Sequence, residues 1–223
     1  MRRSLALLAV VLLPLAGVAV PTDAAAPSHQ TVAAKARRNA MFFGDSYFVG
    51  GGCSPDRNAD MAALAGRELG YRPVVRGAGG TGFVQANPDY DLPPYLAQIA
   101  DGELDVKNPR LVVIQGGSND VGEPPDQVRK NARKVLQIAR GKYPDAVLVL
   151  VGPMDTYGGY DDSTPIRNAL RSVAKKMHVP FIDAMKWTAG RDDLLCSDYV
   201  HPTYAGHVYL GHKLAKALAK RGA

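Results

Sequence analysis

The stretch Met41-Phe42-Phe43-Gly44-Asp45-Ser46-Tyr47 passes from continuous apolar residues through a glycine to polar side chains. A short run that is apolar on every residue suits a strand buried on both faces, as in a parallel sheet with helices on either side. Runs of the same kind recur at Pro73 to Val75, Leu111 to Ile114, Ala146 to Val151 and Val179 to Ile182. Segments with helical spacing separate or follow them: Asn58 to Leu69, Pro93 to Gly102, Pro125 to Arg140, Pro165 to Met177 and Thr203 to Lys220. Prolines near several of their starts, and Gly70 and Gly141 near two of their ends, punctuate helices in the expected sense. Regular alternation of this kind predicts an α/β fold, a three-layer α/β/α sandwich around a five-stranded parallel sheet with right-handed crossovers.

Composition agrees with one globular domain: of 223 residues, 46% are hydrophobic and 22% charged. Ahead of it, Met1-Arg2-Arg3 leads into an apolar run from Leu5 to Val20, then to the small residues Ala24-Ala25-Ala26. That is the order of a signal peptide. Pro14 and Gly17 interrupt the run, which argues against a membrane-spanning anchor. The expected organisation is a signal peptide over 1–26, a linker over 27–39 and a domain over 40–223, exported to the extracellular space as a monomer. The formal net charge is +6, with the cations scattered, so nucleic acid is a poor partner and an anionic cell surface a better one. Cys53 and Cys196 are the chain's two cysteines. In an oxidising compartment such a pair points to a disulfide rather than a metal site, with two unpaired buried thiols as the alternative.

In a parallel sheet, ligands bind beyond the carboxyl ends of the strands. The segments found there are Gly44-Asp45-Ser46, Gly77-Ala78-Gly79-Gly80-Thr81-Gly82 and Gly116-Gly117-Ser118-Asn119-Asp120, joined by Asp198-Tyr199-Val200-His201 before the last helix. Gly77, Gly79 and Gly82 also satisfy the dinucleotide-binding pattern, but that pattern must open a helix. Here Asn87, Pro88, Asp91, Pro93 and Pro94 follow, which read as loop.

Taken in order, the four segments resemble the sequence blocks of the SGNH (GDSL) hydrolases, and the resemblance spans Met41 to about Gly211. It implies a flavodoxin-like arrangement of the sheet and a serine esterase or lipase acting on carboxylic esters without cofactor or metal. A serine hydroxyl becomes nucleophilic only when a base takes its proton, and the base needs a carboxylate to hold its tautomer. Ser46, His201 and Asp198 supply these groups, and a spacing of three residues brings Asp198 and His201 to one side of a turn. The resemblance further implies an oxyanion hole made by the backbone amides of Ser46 and Gly80 and the side chain of Asn119. A zinc site on Asp198, His201 and His207 is the rival reading, although the spacing lacks a familiar ligand rhythm.

The site walls are expected from Tyr47, Phe48, Trp187 and the stretch Met154 to Tyr160, with Tyr157 as a substrate contact. Aromatic and polar groups together suit a small acyl group on a glycan, aryl or lipid ester. A non-catalytic glycan-binding module and an acyltransferase on the same fold are the alternatives.

Overall fold

The computed structural model describes residues 38–53, 60–156, 158 and 160–223. The expected signal peptide, most of the linker and Tyr157 lie outside the described residues. In chain order the elements are β1 (Asn39–Gly44), α1 (Ser46–Val49), α2 (Met61–Glu68), β2 (Arg72–Gly77), α3 (Tyr95–Ala100), β3 (Pro109–Gln115), α4 (Pro125–Lys142), β4 (Val147–Val151), α5 (Tyr160–Lys176), β5 (Phe181–Ile182) and α6 (Tyr204–Ala219). The five strands form one parallel sheet in the order β2-β1-β3-β4-β5.

The alternation of side chains along each strand divides the interior in two. Met41, Phe43, Val112, Ile114, Leu148 and Leu150 face a core closed by α4 and α5, with Val135, Leu136, Leu170 and Val173 packed on them. Ala40, Phe42, Leu111, Val113, Val149 and Val151 face the opposite core, closed by α2 and α6 through Met61, Ala65, Leu210 and Leu214. Both faces of the central strands are therefore apolar, which is why the runs were continuous rather than alternating. The edge strand β2 is less buried and carries Arg72, Pro73 and Arg76, residues that discourage pairing with a further strand.

Helix α5 begins five residues earlier than its Pro165 suggested, so that proline sits inside the helix. A proline removes one N–H from the helix interior, but the amphipathic face with Ile166, Leu170 and Val173 carries the helix through it. No helix among the described residues is long and apolar enough to cross a membrane. In this strand order the chain reverses direction across the sheet at β1, whose neighbours are β2 and β3. The crevice at such a switch point, beyond the carboxyl ends of β1 and β3, is where an open α/β sheet binds its ligand.

Candidate active site

Ser46 is the first residue of the short α1, directly after β1. Asp45 caps that helix: its carboxylate accepts from the Tyr47 amide at 3.0 Å, and its carbonyl accepts from Phe48 at 2.9 Å. Among the described residues, the Ser46 amide is left without a protein acceptor, as first-turn helix amides are unless a cap takes them. Asp45 is fully buried and held to the end of β3 by Gln115, whose Nε2 donates to its carboxylate at 3.0 Å and whose Oε1 accepts from its amide at 3.1 Å. Burial pushes the Asp45 carboxyl up to about 6, against the lowering effects of the Tyr47 amide and Gln115.

The turn before α6 brings the other two groups to Ser46. His201 Nε2 lies 3.0 Å from Ser46 Oγ, and His201 Nδ1 lies 2.8 Å from Asp198 Oδ2. Asp198 Oδ1 accepts from the amides of Val200 at 2.9 Å and His201 at 3.0 Å, so the carboxylate folds the turn and orients the ring together. Desolvation would raise the Asp198 carboxyl, but the His201 side chain and these two amides outweigh it and hold it at about 2. Leu195 and Pro202 close the turn as an antiparallel bridge, and the Cys196 amide donates to the His201 carbonyl at 2.8 Å. Cys196 is joined to Cys53 in a disulfide, with Cα atoms 5.9 Å apart, tying this turn to the loop after α1. Tyr47 adds a second tie, its hydroxyl donating to the Val200 carbonyl at 3.1 Å.

The loop after β2 forms the facing wall. The Asp120 carboxylate gathers the amides of Phe83, Val84 and Gln85 at 3.0, 2.8 and 3.1 Å. Asn119 Nδ2 donates to the Thr81 carbonyl at 2.9 Å, and its second N–H remains available. The Gly80 amide also has no protein acceptor among the described residues. No helix opens at this glycine segment: α3 starts only at Tyr95, which fits the loop reading rather than a dinucleotide site.

A cavity of about 680 Å³ joins these groups, lined by Ser46, Gly79, Gly80, Asn119 and His201 among others. Its remaining walls include Tyr90, Leu92, Val121, Met154, Asp155 and Thr156. Of the expected substrate contacts, Tyr47 lines the cavity but is 2% exposed, its hydroxyl spent on Val200. Two expectations are corrected. Phe48 is fully buried and packs edge-on against Phe42, because the turn of α1 points it into the sheet core. Trp187 packs against the α2 and α6 core, with Lys213 over its ring, and does not line the cavity. Tyr90 and Leu92 wall the cavity without belonging to any of the four segments, and their position in the loop after β2 is the sequence signal for it.

His207 does not join His201 and Asp198. Buried in α6, it takes the Met61 amide on Nδ1 at 3.3 Å and meets the Gly51 carbonyl with Nε2 at 3.2 Å. Both ring nitrogens are thus engaged by backbone. Burial pushes its pKa down, consistent with a neutral ring that carries its proton on Nε2.

A hydroxyl, an imidazole and a carboxylate in one hydrogen-bonded chain, in a cavity also lined by Gly80 and Asn119, have the arrangement by which a base can take a serine proton as the oxygen attacks a carbonyl. Comparison with known proteins gives the family. Residues 42–209 match the family described as GDSL-like lipase/acylhydrolase. A GDSL lipase of Mycobacterium tuberculosis, Rv0518, is 29% identical over 221 residues, covering 92% of each chain. Among solved structures, Est24, a carbohydrate acetylesterase from Sinorhizobium meliloti, superposes with a TM-score of 0.65 at 19% identity, over 82% of this chain and 99% of that one. A carbohydrate esterase family 2 enzyme with a carbohydrate-binding domain, from Corynascus thermopiles (Myceliophthora fergusii), gives 0.65 at 26% identity, over 91% of this chain and 68% of that one. The chain belongs to the GDSL-like lipase/acylhydrolase family and is a hydrolase of carboxylic ester bonds.

Proposed function

We propose that the enzyme removes small acyl groups from an extracellular glycan, aryl or lipid ester, using Ser46 as nucleophile, His201 as base and Asp198 as its orienting carboxylate. The observation that carries this reading is the chain Asp198 Oδ2, His201 Nδ1, His201 Nε2, Ser46 Oγ, with separations of 2.8 and 3.0 Å, opening onto the cavity. His201 Nε2 takes the Ser46 proton as Oγ attacks the ester carbonyl, and Asp198 stabilises the imidazolium that results. The carbonyl oxygen, now negative, is received by the amides of Ser46 and Gly80 and by the free N–H of Asn119. His201 returns the proton to the leaving alcohol, and water repeats the sequence on the acyl-enzyme.

The cavity walls support a small ester with a polar alcohol. Leu92, Val121 and Met154 are apolar, whereas Asp155, Thr156, Asp162 and Ser163 offer oxygens to hydroxyl groups. Export as a monomer, after removal of residues 1–26, belongs to the same proposal. It is supported by the order of charged, apolar and small residues there and by a disulfide, which persists in oxidising compartments.

The test is a chain-length series of p-nitrophenyl acyl esters beside acetylated polysaccharides, run with the wild type and Ser46→Ala. Turnover that falls with acyl length and vanishes in Ser46→Ala is the expected result. Activity retained in Ser46→Ala would overturn the nucleophile assignment, and preference for long acyl chains would overturn the substrate class. N-terminal sequencing and size-exclusion chromatography of the exported protein check the leader and the oligomeric state.

A further inference from the structure

The Gly79–Gly80 peptide is the most easily disturbed part of this oxyanion hole. Neither residue has a Cβ, so the peptide plane between them can turn over by compensating rotations at little steric cost. Turned over, it would present the Gly79 carbonyl where the Gly80 N–H belongs, placing an acceptor against a developing anion. The donor therefore needs an external lock.

Asn87 is placed to supply one. Its Nδ2 donates to the Gly79 carbonyl at 3.1 Å. In a trans peptide the C=O and the following N–H point in opposite directions, so a carbonyl fixed toward Asn87 turns the Gly80 N–H away from it. Ser46 is close by, its Cβ 3.4 Å from a Cβ built on Gly79, and shares the cavity wall with Gly79 and Gly80. Asn87 also leaves no room for another residue at Gly80, where a Cβ would come within 2.3 Å of Asn87 Nδ2 and where φ is +73°. The lock is itself anchored, because the Asn87 amide donates to the Leu92 carbonyl at 2.8 Å and the Leu92 amide returns the bond at 2.9 Å, closing the turn over 88–91.

We propose that Asn87 is a positioning residue of the oxyanion hole, holding the Gly79–Gly80 peptide with the Gly80 N–H toward the substrate carbonyl. The inference rests on the hole described under the proposed function. Asn87 touches no reacting atom in this scheme; it sets the fraction of molecules in which the donor faces the right way, and only that fraction turns over.

Asn87→Ala and Asn87→Asp test it on p-nitrophenyl acetate. Asn87→Ala should lower kcat by about tenfold with KM within about twofold of wild type, a smaller loss than the roughly 10² to 10³ of removing a donor outright. Asn87→Asp keeps the shape and the backbone bridge to Leu92 but turns an acceptor toward the Gly79 carbonyl, so its loss should be the larger. A general loosening of the fold would not favour Ala over Asp in this way, and melting temperatures of both variants monitor it. If Asn87→Ala fails to fold, Asn87→Asp decides alone. Wild-type kcat in the folded variants, or a rise in KM with kcat unchanged, would overturn the inference while leaving the esterase reading intact. A wild type inactive on every ester would overturn the esterase reading itself.

Discussion

Gly51→Ala is the substitution for which the geometry of the site makes the sharpest demand. Gly51 lies beside both partners of the central hydrogen bond, and a Cβ there would stand 2.6 Å from Ser46 Cβ and 3.0 Å from His201 Cδ2. Carbon atoms in contact normally rest about 3.5 to 4.0 Å apart, so the serine side must yield by about 1 Å. Unlike Gly50 at φ 81° and Gly52 at φ 111°, Gly51 is not in the left-handed region, so an alanine adopts its backbone without strain and the cost falls on the site. Misplacing a reacting group by about 1 Å costs on the order of 10² in rate, or about 2.7 kcal/mol of transition-state stabilisation. The same overlap should cost about 1 to 3 kcal/mol of stability, a fall in Tm of several degrees, leaving the enzyme folded at 25 °C. Steady-state kinetics on p-nitrophenyl acetate, with Tm read in parallel, should show kcat reduced about 100-fold and KM little changed. Gly79→Ala, whose Cβ would meet Ser46 Cβ at an ordinary 3.4 Å, should be the milder of the two. A Gly51→Ala enzyme with kcat within about threefold of wild type would refute the reasoning, because the 3.0 Å contact of Ser46 with His201 would then not limit turnover.

Ser46→Ala or His201→Ala should each lower kcat by on the order of 10⁴ to 10⁶, and the double variant should be little worse than either; multiplied losses would show that the two do not act as a unit. Asn119→Ala should cost roughly 10² to 10³ in kcat with KM nearly constant, whereas a rise in KM alone would place Asn119 in ground-state binding. The Cys53–Cys196 bridge closes a sequence separation of 143 residues, for which loop entropy gives an upper value of about 5 kcal/mol. Cys53→Ser with Cys196→Ser should therefore lower Tm by roughly 10 °C and reduce kcat; unchanged kcat would limit the bridge to stability. Burial raises Asp45 and Asp60 from 3.8 to about 6. Their stabilisation is complete below pH 3.8 and is lost as pH rises through about 6, by up to ~3 kcal/mol each. Asp198, held at about 2, acts in the opposite sense, contributing above pH 3.8 and losing that contribution as pH falls through about 2. His207, lowered by burial, contributes above its ordinary 6.5 and opposes the first pair as pH falls. Asp60→Asn keeps an acceptor for the Ala63 amide, so Tm should respond less favourably to a change from pH 7 to pH 5 than in the wild type; equal responses would refute the burial assignment.

The strands and the Asp198–His201 pair were legible for the same reason: each is written in residues close together in the chain. The apolar run Met41 to Phe43 needs two covered faces wherever it is placed, and Asp198 reaches His201 within a single turn. The order of the four segments along the chain, each at the end of a strand or before the last helix, then brought Ser46, Gly80 and Asn119 to one edge. What stayed hidden depended on direction. Phe48 is as aromatic as Tyr90, yet it is fully buried while Tyr90 is 76% exposed at the cavity. The difference is the single helical turn of α1, which points Phe48 into the sheet core.

Local pattern by itself thus determined the fold class, because strand burial and helix spacing constrain it before any packing is known, and the order of the four segments marked Ser46, Asp198 and His201 as the candidate catalytic groups. Tertiary structure alone decided which side chains wall the cavity. It also decided that Gln115 braces Asp45 from 70 residues away, that Asp120 gathers the Phe83 to Gln85 amides, and that Asn87 holds the Gly79 carbonyl. Each of these bonds joins a polar group to a backbone atom or side chain on another loop. No periodicity records such a pairing, since it exists only once the sheet has set the carboxyl ends of β1, β2 and β3 side by side.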